Sequence, residues 1–286
     1  MLLEVKNLTT KFYSDQDVNT AVDDVSFEIE EGKTVCIVGE SGSGKSITSL
    51  SILRLIDKPG RIEGGEIIFK GVDLLKQDIK DMRKIRGKEI AMIFQEPMTS
   101  LNPSYTIGFQ IDESLKLHQQ NLNKKQRYEK VIEALELVSM PNPRDKYHEY
   151  PFKLSGGQRQ RVMIAMAMAC EPSLLIADEP TTALDVTIQA QVLELMRELQ
   201  EKKGTSILFI THDLGVVYEI ADVVVVMYKG HIVEKASAKE LFANPKHPYT
   251  KALLNSIPIP GKVKRKSHLD TVDDDIDYLQ FPKEIR

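Results

Sequence analysis

Gly39-Glu40-Ser41-Gly42-Ser43-Gly44-Lys45-Ser46 follows the apolar, β-branched run 34–38 and opens a stretch with helical apolar spacing. It matches G-x-x-x-x-G-K-[ST], and strand, loop and helix in that order are what a phosphate-binding loop requires. Glycines let the backbone wrap closely around phosphate oxygens and aim several N–H groups inward, while the helix N-terminus adds positive potential. Lys45 is expected to neutralise the β and γ phosphates and the Ser46 hydroxyl to ligate Mg²⁺. Residues 39–46, with Ile47 at the head of the helix, form the candidate nucleotide-binding segment.

Such a loop leaves ATPases, GTPases and small-molecule kinases open. Leu174-Leu175-Ile176-Ala177-Asp178-Glu179 narrows the choice. An apolar strand ending in two carboxylates presents Asp178 beside the metal and Glu179 one residue further, where it can polarise an attacking water. A GTPase needs Asn-Lys-x-Asp after a strand. The nearest match, Asn123-Lys124-Lys125-Gln126, ends in Gln and falls in a polar helical region, so guanine specificity is unsupported.

Around these motifs the chain reads as α/β. Segments 2–8, 21–29 and 34–38 are strand-like, a helical pattern runs from 44 to near Pro59-Gly60, and 66–69 and 90–94 read as strands. From 97 to about 150 polar helices such as 124–138 form an inserted helical subdomain. Beyond 154, helices 157–170 and 186–201 alternate with apolar strands 173–177, 206–210 and 223–227, the pattern of a parallel sheet covered on both faces. Pro258 and Pro260 close the regular pattern, and the basic run 262–266 and acidic run 273–277 read as solvated or disordered.

Composition removes other classes. The 286 residues carry 38 basic and 42 acidic side chains, a net charge of -4, which does not favour a generalised nucleic-acid surface. The longest apolar stretch, 162–170, is far short of the roughly 18 residues that a membrane span needs. Cys36 and Cys170 sit in apolar contexts without metal-ligand spacing, and the N-terminus lacks a cationic-then-apolar signal pattern, so a reducing cytosol is expected and the sequon at Asn7 carries no meaning. Met163, Met166 and Met168 read as core packing. His118, His148, His231, His247 and His268 are scattered, so no structural metal is expected.

Leu154-Ser155-Gly156-Gly157-Gln158 precedes the helix that leads into the acidic strand. Ser155 and the Gly156-Gly157 backbone at that helix N-terminus form a second anion-binding site. Taken together, the phosphate loop, the acidic strand end and this segment resemble the nucleotide-binding subunit of an ATP-binding cassette (ABC) transporter, in which LSGGQ is the signature. The resemblance implies an ABC-type P-loop core with an N-terminal antiparallel β-subdomain and an inserted α-helical subdomain (about 97–155). It also implies that Ser155, Gly156, Gly157 and Gln158 serve ATP held by an opposite subunit. Gln95 matches the family's Q-loop glutamine, contacting Mg²⁺ and water; His212 matches the switch histidine at the γ-phosphate; Asp185 in Ala183-Leu184-Asp185 matches the D-loop at the subunit interface. Phe12, with Tyr13 adjacent, is the best match to the aromatic that stacks on adenine. The implied catalytic set is Glu179, His212, Lys45 and Gln95, the implied metal set Ser46, Gln95 and Asp178, and the implied ligands ATP and Mg²⁺.

Within the family the likeness is to the oligopeptide, dipeptide and nickel importer branch. It rests on 86–103, on 177–191 (ADEPTTALDVTIQAQ) and on His247-Pro248-Tyr249-Thr250, which opens the C-terminal segment typical of that branch. This divides the chain into an ATP-binding domain, 1–245, and an extension and tail, 246–286. Met98-Thr99-Ser100 and 162–170 resemble the D-type ATPase of these importers, which implies an F-type ATPase partner in a heterodimer, two transmembrane permeases and an extracytoplasmic binding protein at the cytoplasmic face of the membrane. Many D-type chains carry a cysteine-rich C-terminal segment; here no cysteine follows Cys170. Peptides are the favoured cargo, with nickel or another small solute as the alternative. A soluble ABC ATPase of DNA repair or translation is disfavoured by the absence of a coiled-coil or zinc insertion and of a second cassette.

Overall fold

The computed structural model describes residues 1–14, 17–95, 100–181, 186–256, 272–273 and 276–285. In chain order the elements are β1 (Leu3–Tyr13), β2 (Val18–Ile29), β3 (Thr34–Val38), α1 (Lys45–Ile52), β4 (Gly60–Phe69) and β5 (Val72–Asp73). Then follow α2 (Ile79–Ile85), β6 (Ile90–Ile93), α3 (Ile107–His118), α4 (Lys124–Leu137), α5 (Pro143–Lys146), α6 (Gly156–Met168), β7 (Leu174–Asp178) and α7 (Val186–Lys203). The last group is β8 (Ser206–Thr211), α8 (Leu214–Ile220), β9 (Val223–Tyr228), β10 (His231–Ser237), α9 (Ala238–Ala243), α10 (Pro248–Asn255) and β11 (Glu284–Ile285). The chain divides into two compact units, Met1–Lys76 with Leu208–Arg286, and Gln77–Ile207.

In the first unit β2, β1, β4 and β5 form a four-stranded antiparallel sheet, as the sequence predicts for the N-terminal portion. Leu3, Val5 and Leu8 on β1 are buried together with Val22, Val25, Phe27 and Ile29 on β2, leaving polar residues to the other face. A second set of strands runs β11-β10-β9-β3-β8. β3 and β9 are parallel, Val35 opposite Val223 through Val38 opposite Val226. All five residues of β3 are buried, which is why this stretch reads as an unbroken apolar run.

One expectation is corrected in this unit. The helix after the phosphate loop stops at Ile52, not near Pro59. Arg54 adopts a left-handed φ of 52°, the Leu55 N–H donates to Leu50 O at 2.8 Å and the Arg54 N–H to Ser51 O at 2.9 Å, a Schellman closure. Such a stop usually carries glycine, and here arginine hides it. Asp273 and Asp277 of the acidic run are exposed, as expected, and the chain just after the run is ordered. Asp277 caps a 3₁₀ turn, Tyr278–Gln280, by accepting the Leu279 N–H; Tyr278 is buried; and β11 pairs in parallel with β10. The run 262–266 lies outside the described residues.

In the second unit β6 and β7 are parallel, with Ile90 opposite Leu174 and Ile93 opposite Ala177. Parallel pairing brings the C-terminal ends of both strands to one edge, so Gln95 and Glu179, each two residues past the last pair, emerge side by side. In this unit α3, α4 and α5 supply the expected helical insert. Arg127 Nε donates to Asp112 Oδ1 at 2.6 Å between α4 and α3. The Asn123 to Gln126 segment is a capping box: Asn123 Oδ1 accepts the Gln126 N–H at 3.0 Å and Gln126 Oε1 accepts the Asn123 N–H at 2.9 Å. Val162, Met163, Ile164, Ala165, Ala167 and Met168 are buried around most of α6, so Met163 and Met168 belong to the core, while Met166 is half-buried.

Candidate active site

In the first unit the loop leaves β3 at Gly39. A Cβ there would stand 2.1 Å from Met227 O on β9, and one at Gly44 would stand 2.4 Å from Ala21 O, so both positions admit only glycine. Lys45, 5% exposed, opens α1 and folds back over the loop, donating through Nζ to Gly39 O at 2.8 Å and Glu40 O at 2.7 Å, with Ser43 Oγ at 3.5 Å. Gly230 N–H closes on Ser43 O at 3.0 Å. Ser41 and Gly42 are exposed at the crest, while Ser46 and Ile47 are half-buried in the first turn of α1. The loop is thus pinned to β9 and the β9–β10 turn, and its lysine charge is held by carbonyl oxygens at its centre.

His212 is exposed immediately after β8 and shares with Gly39 and Glu40 a cleft of about 490 Å³ whose far wall includes Leu253 and Ser256. Its position is fixed from the next residue. Asp213 caps α8 by accepting the Gly215 N–H at 2.8 Å and the Val216 N–H at 3.3 Å, and its own N–H donates to Thr211 Oγ1 at 3.0 Å. Phe12 and Tyr13 lie at the end of β1. The Phe12 ring edge fills the space over Gly60 on β4, and the Arg61 guanidinium stands 5.6 Å from the Tyr13 ring centre.

In the second unit Gln95 Nε2 donates to Glu179 Oε2 at 3.0 Å. Asp178 ends β7 at 5% exposure, while Glu179 is half-buried and holds a left-handed φ of 47°. For a non-glycine residue that conformation costs about 1 kcal/mol or more, and residues held this way cluster at functional sites. Sequence reasoning missed the group that steadies this turn: Gln160 on α6, 1% exposed, donates to Pro180 O at 2.6 Å. A polar residue on the buried face of α6 was the available signal.

At the start of α6 Ser155 Oγ accepts the Gln158 N–H at 3.3 Å, and Gln158 Oε1 accepts the Ser155 N–H at 3.2 Å. A Cβ at Gly157 would touch Ile188 at 3.0 Å, whereas one at Gly156 would meet nothing within 4 Å. Packing within this chain therefore favours glycine at 157, where the Ile188 side chain would otherwise have to give way by a few tenths of an ångström, and leaves the surface at 156 open. Asp185 and Glu96-Pro97-Met98-Thr99 lie outside the described residues.

Residues 22–182 match the ABC transporter family, and 233–277 match the oligopeptide/dipeptide transporter C-terminal region. The chain is 51% identical over 283 residues to the probable peptide ABC transporter ATP-binding protein y4tR of Sinorhizobium fredii, covering 99% of this chain and 84% of that one. It is 54% identical to the dipeptide transport ATP-binding protein DppD of Haemophilus influenzae (90% and 78% covered) and 57% to the oligopeptide transport ATP-binding protein AppD of Bacillus subtilis (90% and 79%). Among solved structures, the dimeric ATP-binding cassette MJ0796 in a post-hydrolysis state with ADP and Pi superposes with a TM-score of 0.74 at 27% identity, over 82% of this chain and 98% of that one. The chain belongs to the ABC transporter family. Within it, this is an ATP-binding subunit, an ATPase whose hydrolysis is coupled to transport.

Proposed function

We propose that this chain powers peptide import through partner permeases, binding ATP at residues 39–46 and hydrolysing it with Glu179 as the base. The observation that carries the catalytic assignment is the Gln95–Glu179 hydrogen bond at a strained strand end. Lys45 exchanges its carbonyl partners for the β and γ phosphates, gaining full anionic charge in place of dipoles. The attacking water forms its bond to Pγ as the bridging oxygen departs with ADP, and Glu179 accepts the proton. Gln95 restrains the Glu179 carboxylate through their hydrogen bond, and His212 serves the γ-phosphate from the edge of the loop.

The donor set fits Mg²⁺. Ser46 hydroxyl, Asp178 carboxylate and the Gln95 carboxamide oxygen are all hard oxygen ligands, and the Gln95 amide nitrogen is already committed to Glu179. Bound there, Mg²⁺ would neutralise charge on the β and γ phosphates. No group of three or more His, Cys, Asp and Glu side chains with metal-binding geometry occurs among the described residues.

The cargo reading rests on the peptide-transport names of the relatives and on the 233–277 match. No helix among the described residues is long and apolar enough to cross a membrane; work on the membrane through partners at its cytoplasmic face follows from the transport role of the relatives. The insert supports a permease dock: Tyr105 stacks on Phe109 at 4.6 Å and Tyr150 on Phe152 at 5.6 Å, all four exposed, and the Ile107 N–H to Glu149 O bond ties the two pairs together. An F-type ATPase completes a heterodimer in which each ATP is closed by the other chain's Ser155–Gln158 segment, and an extracytoplasmic binding protein delivers the cargo. Affinity purification of the full chain from detergent-solubilised membranes tests this reading. Two permeases and a second ATPase are expected to co-purify, and mass spectrometry of the associated binding protein is expected to find peptide. Nickel in place of peptide would overturn the cargo, and ribosomes or DNA in place of permeases would overturn transport.

A further inference from the structure

We propose that Tyr249 is a positioning residue of the nucleotide site, its phenol bracing the phosphate loop from the C-terminal segment. Tyr249 Oη accepts the Glu40 N–H at 3.1 Å, across 209 residues of sequence. Glu40 is the second residue of the loop, and its carbonyl is one of the two that hold the Lys45 ammonium. The phenol therefore fixes the peptide that leads into the lysine's resting position. The inference rests on residues 39–46 being the ATP site.

The segment is built to deliver this one hydroxyl. Glu234, 2% exposed on β10, accepts the Lys246 and His247 N–H groups, each at 3.0 Å, and so fixes the entry to α10. His247 Nδ1 then caps the helix by accepting the Tyr249 N–H at 3.2 Å, with Pro248 at the first helical position. The Tyr249 ring, fully buried, packs on Tyr228 at 4.6 Å and Tyr278 at 5.3 Å. Tyr228 directly follows Met227, whose carbonyl presses on Gly39. Gly39 is thus set by β9 and Glu40 by α10, so two consecutive loop residues are clamped by different elements. Burial pushes the phenol ionisation well above its ordinary range, which keeps the hydroxyl neutral at working pH.

The test is Tyr249→Phe in the full chain, which removes one oxygen and leaves the aromatic cluster filled. The expected result is a 3- to 10-fold weaker Kd for ATP, a matching rise in KM and kcat within twofold, since one brace on the loop and no reacting group is lost. Tyr228→Phe removes the neighbouring hydroxyl, which donates to Ile276 O at 3.3 Å, and is expected to leave ATP affinity unchanged. Equal losses in both variants would reduce the effect to general packing and overturn the proposal. Lys45→Ala, run alongside, is expected to lose ATP binding; if it still binds, the loop assignment itself fails. If Lys45→Ala loses binding and Tyr249→Phe binds as wild type does, only the brace is overturned. Hydrogen exchange on the unmodified chain gives a second reading: the Glu40 amide is expected to be protected, and exchange at the unprotected rate would contradict the bond.

Discussion

Glu179, the proposed base, sits in an unfavourable backbone conformation. Its left-handed φ turns the carboxylate toward Gln95 at the cost of local strain, and the Gln95 amide and the buried Gln160 amide, on Glu179 and Pro180 respectively, hold the turn in place. A base that must align water is worth more when its rotamer is fixed before substrate arrives. Gln95→Ala removes that restraint and leaves the phosphate loop alone. The expected outcome in steady-state kinetics is a kcat lower by about 10-fold or more with the ATP Kd within about threefold. A rise in Kd at constant kcat would instead make Gln95 a binding residue.

The C-terminal helix α10 depends on the residue that caps it, His247. Capping by His247 Nδ1 requires a neutral imidazole, because protonation replaces the acceptor with a donor. Burial lowers the His247 pKa below its ordinary value near 6.5, and this outweighs the opposing pull of the Glu234 and Glu284 carboxylates that face it. Since the folded value lies below the unfolded one, the contribution is complete above pH 6.5 and is lost as pH falls from there through the folded pKa. His247→Asn keeps a capping oxygen without the titration. Denaturation midpoints measured from pH 7.5 to 5 are therefore expected to fall less steeply in His247→Asn than in wild type; parallel slopes would exclude His247 as the source.

Across the whole molecule, what the sequence discloses and what it conceals divide by sequence separation. The phosphate loop, β3 and α6 were legible because chain neighbours determine them: glycines where carbonyls press in, an unbroken apolar run where both faces are covered, and serine ahead of a helix. The Gln95–Glu179 bond spans 84 residues and the Tyr249–Glu40 bond 209, and no local pattern encodes such partners. The ordered turn that follows the acidic run was hidden because the one aromatic that anchors it, Tyr278, packs on Tyr228 and Tyr249, far away in sequence. The His-Pro-Tyr-Thr segment was legible as a family marker but not as a support of the loop. The central claim, that this chain hydrolyses ATP with Glu179 as its base, is tested most directly by single-turnover hydrolysis in Glu179→Gln. ATP binding within about threefold of wild type and a hydrolysis rate lower by about 100-fold or more are expected. Turnover equal to wild type under matched conditions would contradict that claim.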